Sequence, residues 1–200
     1  EGFLWLRGKT DDERNAFYEE LYCLMRDAPV TGIACVIDRP GYNARYEEMY
    51  RENRWMLCKT AFSVVVERSA KFAIANDQRL RVLPEQCNKA EDGLLRSYYK
   101  ELKDEGLPFN DKNSDKYAPL TKEQFGHTLY DLRFKAKSSP MAQLADLYLW
   151  PICMGGYHLG NRPYQRLLAD GKLIECQIAE ADHAKLATKY SCFEGVDRKE

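Results

Sequence analysis

The sequence lacks most of the short patterns that mark catalytic and cofactor-binding sites. It has no Gly-x-Gly-x-x-Gly or Walker-type glycine loop, no Ser-centred nucleophile elbow and no cysteine beside a histidine. Phosphate binding by a glycine loop and acyl transfer therefore have little support. The three histidines, His127, His158 and His183, are far apart and make no metal-binding spacing.

Excess charge of either sign and a long apolar run are also missing. Thirty Lys and Arg against 31 Asp and Glu leave a net charge of −1, which excludes an arginine-rich nucleic-acid binder and an acidic disordered tail. The longest nearly apolar stretch, residues 144–159, contains Asp146 and His158 and is too short for a membrane span. No apolar targeting segment opens the sequence, so we expect no membrane association.

Paired cysteines are absent as well. The seven cysteines are an odd number, widely spread, without a Cys-x-x-Cys pair, which argues against a zinc site, a redox motif and a secreted disulfide scaffold. Most lie in apolar segments, so we expect small buried hydrophobes in a reducing compartment and a cytoplasmic protein.

What is present is enough apolar material for one globular domain, since 44% of the 200 residues are hydrophobic. Apolar spacing predicts helices over residues 11–27, 56–76, 90–105 and 141–154, and strands over 30–37, 80–83 and 129–135. This alternation predicts an α/β domain over residues 1–200 with neighbouring parallel strands and a charged tail at 194–200.

Some local details follow from the same patterns. Glu67 and Lys71, four residues apart on the second helix, are expected to pair on its surface. Residues 38–41, Asp-Arg-Pro-Gly, are typical of a turn. Strict alternation over 129–135 would place Leu129 and Asp131 on one face and Tyr130 on the other.

Four acids are candidates for chemistry. Asp38 and Glu85 end two predicted strands, where open α/β sheets bind ligands, and Asp92 lies in the helical turn after Glu85. Asp146 stands inside an apolar helix, where an unpaired carboxylate would be costly. Carboxylates gathered from distant segments suit Mg²⁺ or Mn²⁺, and two such ions can activate water against a phosphodiester.

Each acid also has an ordinary structural interpretation. Asp38 can be plain turn chemistry, and Glu85 a solvated strand end. Asp92 can be a partner of the helix dipole, and Asp146 half of a structural ion pair.

Two segments resemble the domain-of-unknown-function 3800 family. Glu85 followed by residues 89–95, Lys-Ala-Glu-Asp-Gly-Leu-Leu, and then Tyr98-Tyr99 looks like its central motif. Residues 132–135, Lys137-Ser138 and Gln-Leu-Ala-Asp-Leu at 143–147 look like its second signature, and 189–193 match a common family ending. The resemblance runs from about residue 11 to 194 and is most specific at 143–146.

This resemblance implies a ribonuclease H-like fold, a mixed sheet flanked by helices, that holds Mg²⁺ or Mn²⁺ for nucleic-acid strand cleavage or transfer. Carried over by position, Glu85, Asp92 and Asp146 would be metal-site acids, with Asp38 as a further catalytic acid. Lys137 and Gln143 would border the site.

One departure stands out. Family members open with a strand that carries an Asp-Glu-Ser-Gly or Asp-x-Ser-Gly motif, and neither occurs here. We therefore expect either that the chain lacks this N-terminal strand, which its start at Glu1 without methionine favours, or that it is not a competent nuclease.

Three functions remain open from the sequence. The first is a metal-dependent nuclease, the second a non-catalytic ribonuclease H-like binding module that has lost its metal site, and the third an enzyme acting on a small phosphorylated ligand. A nuclease needs a local basic patch, because phosphate contacts come mainly from Lys and Arg. Its candidate members are Arg39, Arg45, Arg51, Arg54, Lys59 and Lys137, with Lys59 also expected to bind substrate.

Overall fold

The computed structural model describes residues 6–50, 55–107 and 117–199. The chain divides into two compact units, Glu1–Val30 and Thr31–Glu200. The first unit contains helix α1, Asp11–Asp27. Thr10 caps it, since the Thr10 side chain accepts from the Glu13 backbone while the Glu13 side chain accepts from the Thr10 N–H. The prediction of this helix is confirmed.

The second unit contains every strand of the described residues. Its elements, in chain order, are β1 Cys35–Ile37, α2 Arg39–Tyr50, α3 Trp55–Ala75, β2 Leu80–Val82, α4 Lys89–Glu105, α5 Lys122–Thr128, β3 Leu129–Leu132, α6 Pro140–Gly155, α7 Arg162–Ala169, α8 His183–Leu186 and β4 Lys189–Ser191. The predicted α/β class is confirmed, and α3, α4 and α6 match their predicted helices to within two residues at either end.

Among the described strands, pairing is parallel in two separate two-stranded sheets. β1 pairs with β4 and β2 pairs with β3. A single bridge from Glu85 to Lys135 continues the β2–β3 ladder, and another joins Gly32, ahead of β1, to Leu173. Parallel pairing agrees with the long helical connections, because parallel strands need a crossover of a dozen residues or more.

One hydrophobic core of the second unit lies where α3, α4, α5 and β3 meet. It is formed by seven buried side chains, Val66, Ala70, Tyr99, Leu102, Leu120, Phe125 and Leu129. Phe125 and Leu129 are fully buried, and each such side chain contributes roughly 1.5–3 kcal/mol by leaving water. Leu80, Val82 and Leu132 pack against the cluster from the sheet.

The prediction that residues 38–41 form a turn is wrong. Asp38 instead precedes α2, and its Oδ2 accepts the backbone N–H of Gly41 at 2.7 Å. An aspartate before a helix with proline in the first turn is a helix-start signal, because the carboxylate satisfies an N–H that the helix leaves free. Helix α2 was therefore missed.

The prediction of strict alternation in β3 is also wrong. The β2–β3 register shifts between Leu80 and Arg81, so that Leu80 faces Leu129 whereas Arg81 faces Asp131. Tyr130 is the extra residue of this bulge. Leu129 is consequently fully buried, while Tyr130 is 40% exposed.

The Glu67–Lys71 pair forms as predicted but is buried. Lys71 Nζ lies 2.9 Å from Glu67 Oε1, with both side chains less than 10% exposed. Lys71 also donates to the Tyr117 carbonyl, and Glu67 accepts from the Leu120 N–H. The neighbouring Arg68 is buried too. This face of α3 therefore anchors the segment that leads into α5 instead of facing solvent.

Most of the cysteines are not buried. All seven are free thiols, four of them exposed, Cys23, Cys58, Cys87 and Cys176, and only Cys192 is buried. The expectation of mostly buried cysteines is therefore wrong. None of the helices in residues 6–50, 55–107 and 117–199 combines the length and the apolar content that crossing a membrane requires.

The C-terminal residues pair with the segment that follows α6. A bridge joins His158 to Lys199, and the Lys199 N–H donates to the Tyr157 carbonyl at 3.0 Å. The Arg198 guanidinium lies 5.5 Å from the Tyr190 ring centroid. The charged residues 194–199 are thus attached to the second unit.

Candidate functional site

Asp38, at the end of β1, is buried and fully hydrogen-bonded. It is 6% exposed. Oδ2 accepts the Gly41 N–H at 2.7 Å, and Oδ1 accepts the Tyr157 hydroxyl at 2.9 Å. Both carboxylate oxygens therefore have structural partners, and Asp38 caps the start of α2 instead of forming the predicted turn. Tyr157 could not have been found from sequence spacing, because it lies 119 residues away.

Glu85 lies just beyond β2 and is exposed. The parallel ladder continues past the strand, with the Lys135 N–H donating to the Pro84 carbonyl and the Gln86 N–H donating to the Lys135 carbonyl. Glu85 is the bridge partner of Lys135. A strand end holds its backbone while its carboxylate remains accessible to solvent and to a cation.

Asp92 is buried in the first turn of α4, at 8% exposure. Its Oδ1 accepts the Cys87 N–H at 3.0 Å. Asn88 caps the same helix by accepting the N–H groups of Ala90 and Glu91. Asp92 therefore braces the loop between β2 and α4, and its negative charge is favourable at the helix N-terminus.

Cys87 lies between Glu85 and Asp92 in the sequence, and both of their charges affect its thiol. The pKa of the Cys87 thiol is raised, first by a hydrogen bond with the Glu91 side chain, then by desolvation, and then by the charges of Glu91, Asp92 and Glu85. Three carboxylates thus act on one thiol at the carboxyl end of β2. Glu91 is not among the acids predicted from the sequence, although its position directly before Asp92 in the motif could have indicated it.

Asp146 lies on α6 but is exposed, so the burial that singled it out is not found. Leu149 and Trp150 on the same helix are 49% and 55% exposed. An apolar sequence therefore does not make this helix buried on all sides, and a hydrated carboxylate needs no compensating cation. No hydrogen bond or ion pair of the Asp146 carboxylate occurs within the described part of the chain.

The four predicted acids do not form one cluster. Glu85 and Asp92 share the carboxyl end of β2, whereas Asp38 is engaged beside the β1–β4 pair and Asp146 lies on α6. Across residues 6–50, 55–107 and 117–199, no group of three or more His, Cys, Asp or Glu side chains is arranged to hold a metal ion. Two carboxylates still suit Mg²⁺, which commonly takes one or two protein carboxylates together with substrate phosphates and water.

The predicted substrate contacts lie in different surroundings. Lys59 forms an ion pair with Glu101 and lies 5.6 Å from the Tyr98 ring centroid, in a cleft of about 140 Å³ beside α3 and α4. The hydrogen bond from Lys59 lowers the pKa of Glu101. Lys137 and Gln143 are both exposed, in the turn after β3 and near the start of α6.

The described members of the predicted basic patch lie on different elements, Arg39 and Arg45 on α2, Lys59 on α3 and Lys137 in the turn after β3. Arg39 is exposed, while Arg45 forms an ion pair of 2.8 Å with Glu194. Arg51 and Arg54 lie outside the described residues. Among the members that are described, Lys59 and Arg45 have acidic partners, whereas Arg39 and Lys137 are exposed cations without one.

Comparison with known proteins gives one relative of unknown activity. The uncharacterised protein y4pM of Sinorhizobium fredii is 35% identical over 195 residues, which cover 96% of this chain and 69% of that protein. No family model matches the chain. No solved structure matches it either.

Proposed function

Because the chain belongs to the same family as the uncharacterised protein y4pM, whose name assigns no activity, we propose its function from the site: a divalent-metal-dependent, nuclease-like domain that acts on nucleic-acid phosphodiesters. The architecture we propose for it is ribonuclease H-like. The motif that follows Glu85 and the Gln-x-Ala-Asp segment at 143–146 motivate both.

One observation carries the proposal. Asp92, in the first turn of α4, accepts the Cys87 N–H at 3.0 Å, and Glu85 lies two residues before Cys87, so two carboxylates belong to the segment that follows the carboxyl end of a parallel strand. Ligands of open α/β sheets bind at that end.

The donor chemistry fits a hard cation. Glu85 is exposed, and Asp92 engages only Oδ1 with the Cys87 N–H. Glu85 and Asp92 would hold Mg²⁺ or Mn²⁺, with Asp146 as a further acid on the strength of the family resemblance. The ion would supply an activated water and stabilise the leaving oxygen of a phosphodiester. Asp38 is left out of this set because both of its oxygens accept hydrogen bonds.

The test is cleavage of labelled single-stranded and duplex DNA and RNA by this chain in Mn²⁺, in Mg²⁺ and in EDTA. We expect products with metal only, and their loss in Glu85→Gln, Asp92→Asn and Asp146→Asn. Asp92→Asn is a mild change, because the amide oxygen can still accept the Cys87 N–H. The matched control is Asp104→Asn, an exposed acid of α4, which should cleave like the parent.

A second candidate is a non-catalytic binding module that keeps the architecture without the metal chemistry. The observation that favours it is that the carboxylates of Asp38 and Asp92 hydrogen-bond within the chain. It predicts coincident melting curves with and without Mn²⁺, whereas a metal at a hundred times its Kd would stabilise the fold by about 2.7 kcal/mol. If the chain neither cleaves nucleic acid nor melts at a higher temperature with Mn²⁺, the binding module is supported instead of the nuclease.

A further inference from the structure

One face of the β2–β3 ladder is exposed and carries arginines. Along β2 and its flanks, Arg79, Arg81 and Leu83 are exposed, whereas Leu80 and Val82 pack against the core. This alternation is the ordinary period of a strand, so the exposed residues share one face. Parallel sheets are normally covered on both faces, which makes an open one unusual.

The bulge in β3 places an aromatic ring between two of these arginines. The guanidinium carbons of Arg79 and Arg81 each lie 5.0 Å from the centroid of the Tyr130 ring. Arg79 is also held by a hydrogen bond from its Nε to the His127 carbonyl at 3.1 Å. The ring and the guanidinium groups are therefore ordered on the surface before any ligand arrives.

Asp131 forms ion pairs with two arginines of this face, Arg81 and Arg133. Asp131 Oδ2 lies 3.1 Å from Arg81 Nε and 2.6 Å from Arg133 Nε, and the Arg133 side chain is 64% exposed. One carboxylate thus serves two guanidinium groups, each of which keeps further N–H donors free for a ligand.

The face carries an excess of positive charge on a chain that is almost neutral. Its cations are Arg79, Arg81, Arg133 and Lys135, and its acids are Asp131 and Glu85. The whole chain, in contrast, has a net charge of −1. The acid at the end of the ladder, Glu85, belongs to the pair proposed above to hold the metal.

We propose that the face formed by Arg79, Arg81, Tyr130 and Arg133 binds single-stranded nucleic acid. The arginines contact the phosphates, and the ring and guanidinium planes stack against an unpaired base. Arginine forks match phosphate oxygens, and both aromatic rings and guanidinium planes stack on bases that have no partner strand. A duplex offers its phosphates but no free base face. This inference rests on the proposed function for its substrate class and adds the path by which a strand reaches Glu85.

The experiment measures binding of a short fluorescein-labelled oligothymidylate by anisotropy in EDTA, so that no metal or cleavage contributes. We expect Tyr130→Leu to weaken binding roughly fivefold or more, because it removes stacking, and Tyr130→Phe to bind like the parent. Arg133→Gln should weaken binding and reduce the slope of log K against log salt by about 0.7, the value for one phosphate contact on a single strand. Lys100→Gln, which removes an exposed cation of α4, is the charge-matched control.

Three outcomes would overturn the proposal: equal binding by Tyr130→Leu and parent, an equal loss in Lys100→Gln and Arg133→Gln, or a matched duplex that binds as tightly as the single strand. Arg133 is exposed, so its variant tests the face even where Tyr130→Leu folds poorly. Binding without cleavage by the parent chain supports this inference and defeats the nuclease proposal. If Tyr130→Leu and Arg133→Gln leave metal-dependent cleavage unchanged, the nuclease proposal is supported and this inference is defeated.

Discussion

The hydroxyl of Tyr157 donates a hydrogen bond of 2.9 Å to Oδ1 of Asp38, across 119 residues of chain. The other oxygen of Asp38 accepts the Gly41 N–H in the first turn of α2. Burial, followed by this hydrogen bond, raises the pKa of Tyr157. The pair thus ties the start of α2 to the segment that follows α6.

Removing either partner should destabilise the fold. We expect Asp38→Ala to lower the free energy of unfolding by about 1–3 kcal/mol, because a helix cap is lost and a buried hydroxyl is left without its acceptor. Tyr157→Phe should cost about 1 kcal/mol. Urea unfolding of both variants and of the double variant measures the coupling between them. Simple additivity would contradict a direct interaction.

The buried pair of Glu67 and Lys71 predicts a larger effect. Burial lowers the pKa of Lys71, while the hydrogen bond and charge of Glu67 oppose this shift. Lys71→Met should cost about 3–5 kcal/mol, because it leaves a carboxylate buried without its cation.

The exposed pair of Lys9 and Glu13 is the control, and Lys9→Met should cost less than about 1 kcal/mol. Urea unfolding followed by circular dichroism compares the two. We expect Glu67→Gln combined with Lys71→Met to recover part of the loss, since no unpaired charge remains. Equal costs for Lys71→Met and Lys9→Met would show that the buried pair has no special weight.

Two glycines should respond to alanine in opposite directions. A Cβ at Gly93, within α4, would meet nothing within 4 Å, so Gly93→Ala should stabilise the protein by roughly 0.5–1 kcal/mol. A Cβ at Gly41 would collide with the Cys192 carbonyl oxygen, so Gly41→Ala should destabilise. Thermal melting of the two variants checks the prediction, and a lower midpoint for Gly93→Ala than for the parent would refute it.

Cys35 predicts a loss of stability at high pH. Burial raises the pKa of its thiol from 9.0 to about 11, although Arg68 and Lys189 act in the opposite direction. Because the folded state holds this proton more tightly than the unfolded state, its contribution is fully present below pH 9 and is lost as the pH rises through about 11. The loss is at most about 3 kcal/mol.

The measurement is the free energy of unfolding in urea across that pH range, with a reductant present. Cys35→Ala should flatten the alkaline part of the profile, and Cys23→Ala, at an exposed thiol, should leave it unchanged. If Cys35→Ala keeps the alkaline slope of the parent, the loss of stability at high pH comes from the tyrosines and not from Cys35.

The predictable parts of the fold were the ones with local signals. Helix α1 was marked by Thr10 and Glu13, and α4 by its apolar spacing and by Gly106, which adopts a φ of 84° at its C-terminus. The strands were less predictable. β4 was missed, and β3 was expected to alternate without a break, because a bulge depends on the partner strand and leaves no periodic signal.

The candidate site was also predictable only where its signals are local in sequence. Glu85 and Asp92 are seven residues apart, on the loop that follows β2 and in the first turn of α4, so their nearness in sequence was a local signal. Asp146 was selected for burial that the structure does not have, since an apolar run does not specify which side of a helix meets the core. The contact between Arg79 and Tyr130 joins residues that are distant in sequence, so no local motif indicates it.

The sequence by itself determined the α/β class and the long helices, with the caps of α1 and α4, because these depend on interactions within a few turns of chain. The tertiary structure alone decided that Asp38 accepts from Tyr157, that Glu67 and Lys71 are buried, and that Tyr130 lies exposed between two arginines. Each of these depends on the register and packing of segments distant in sequence, where burial and pairing are set by the partner that arrives.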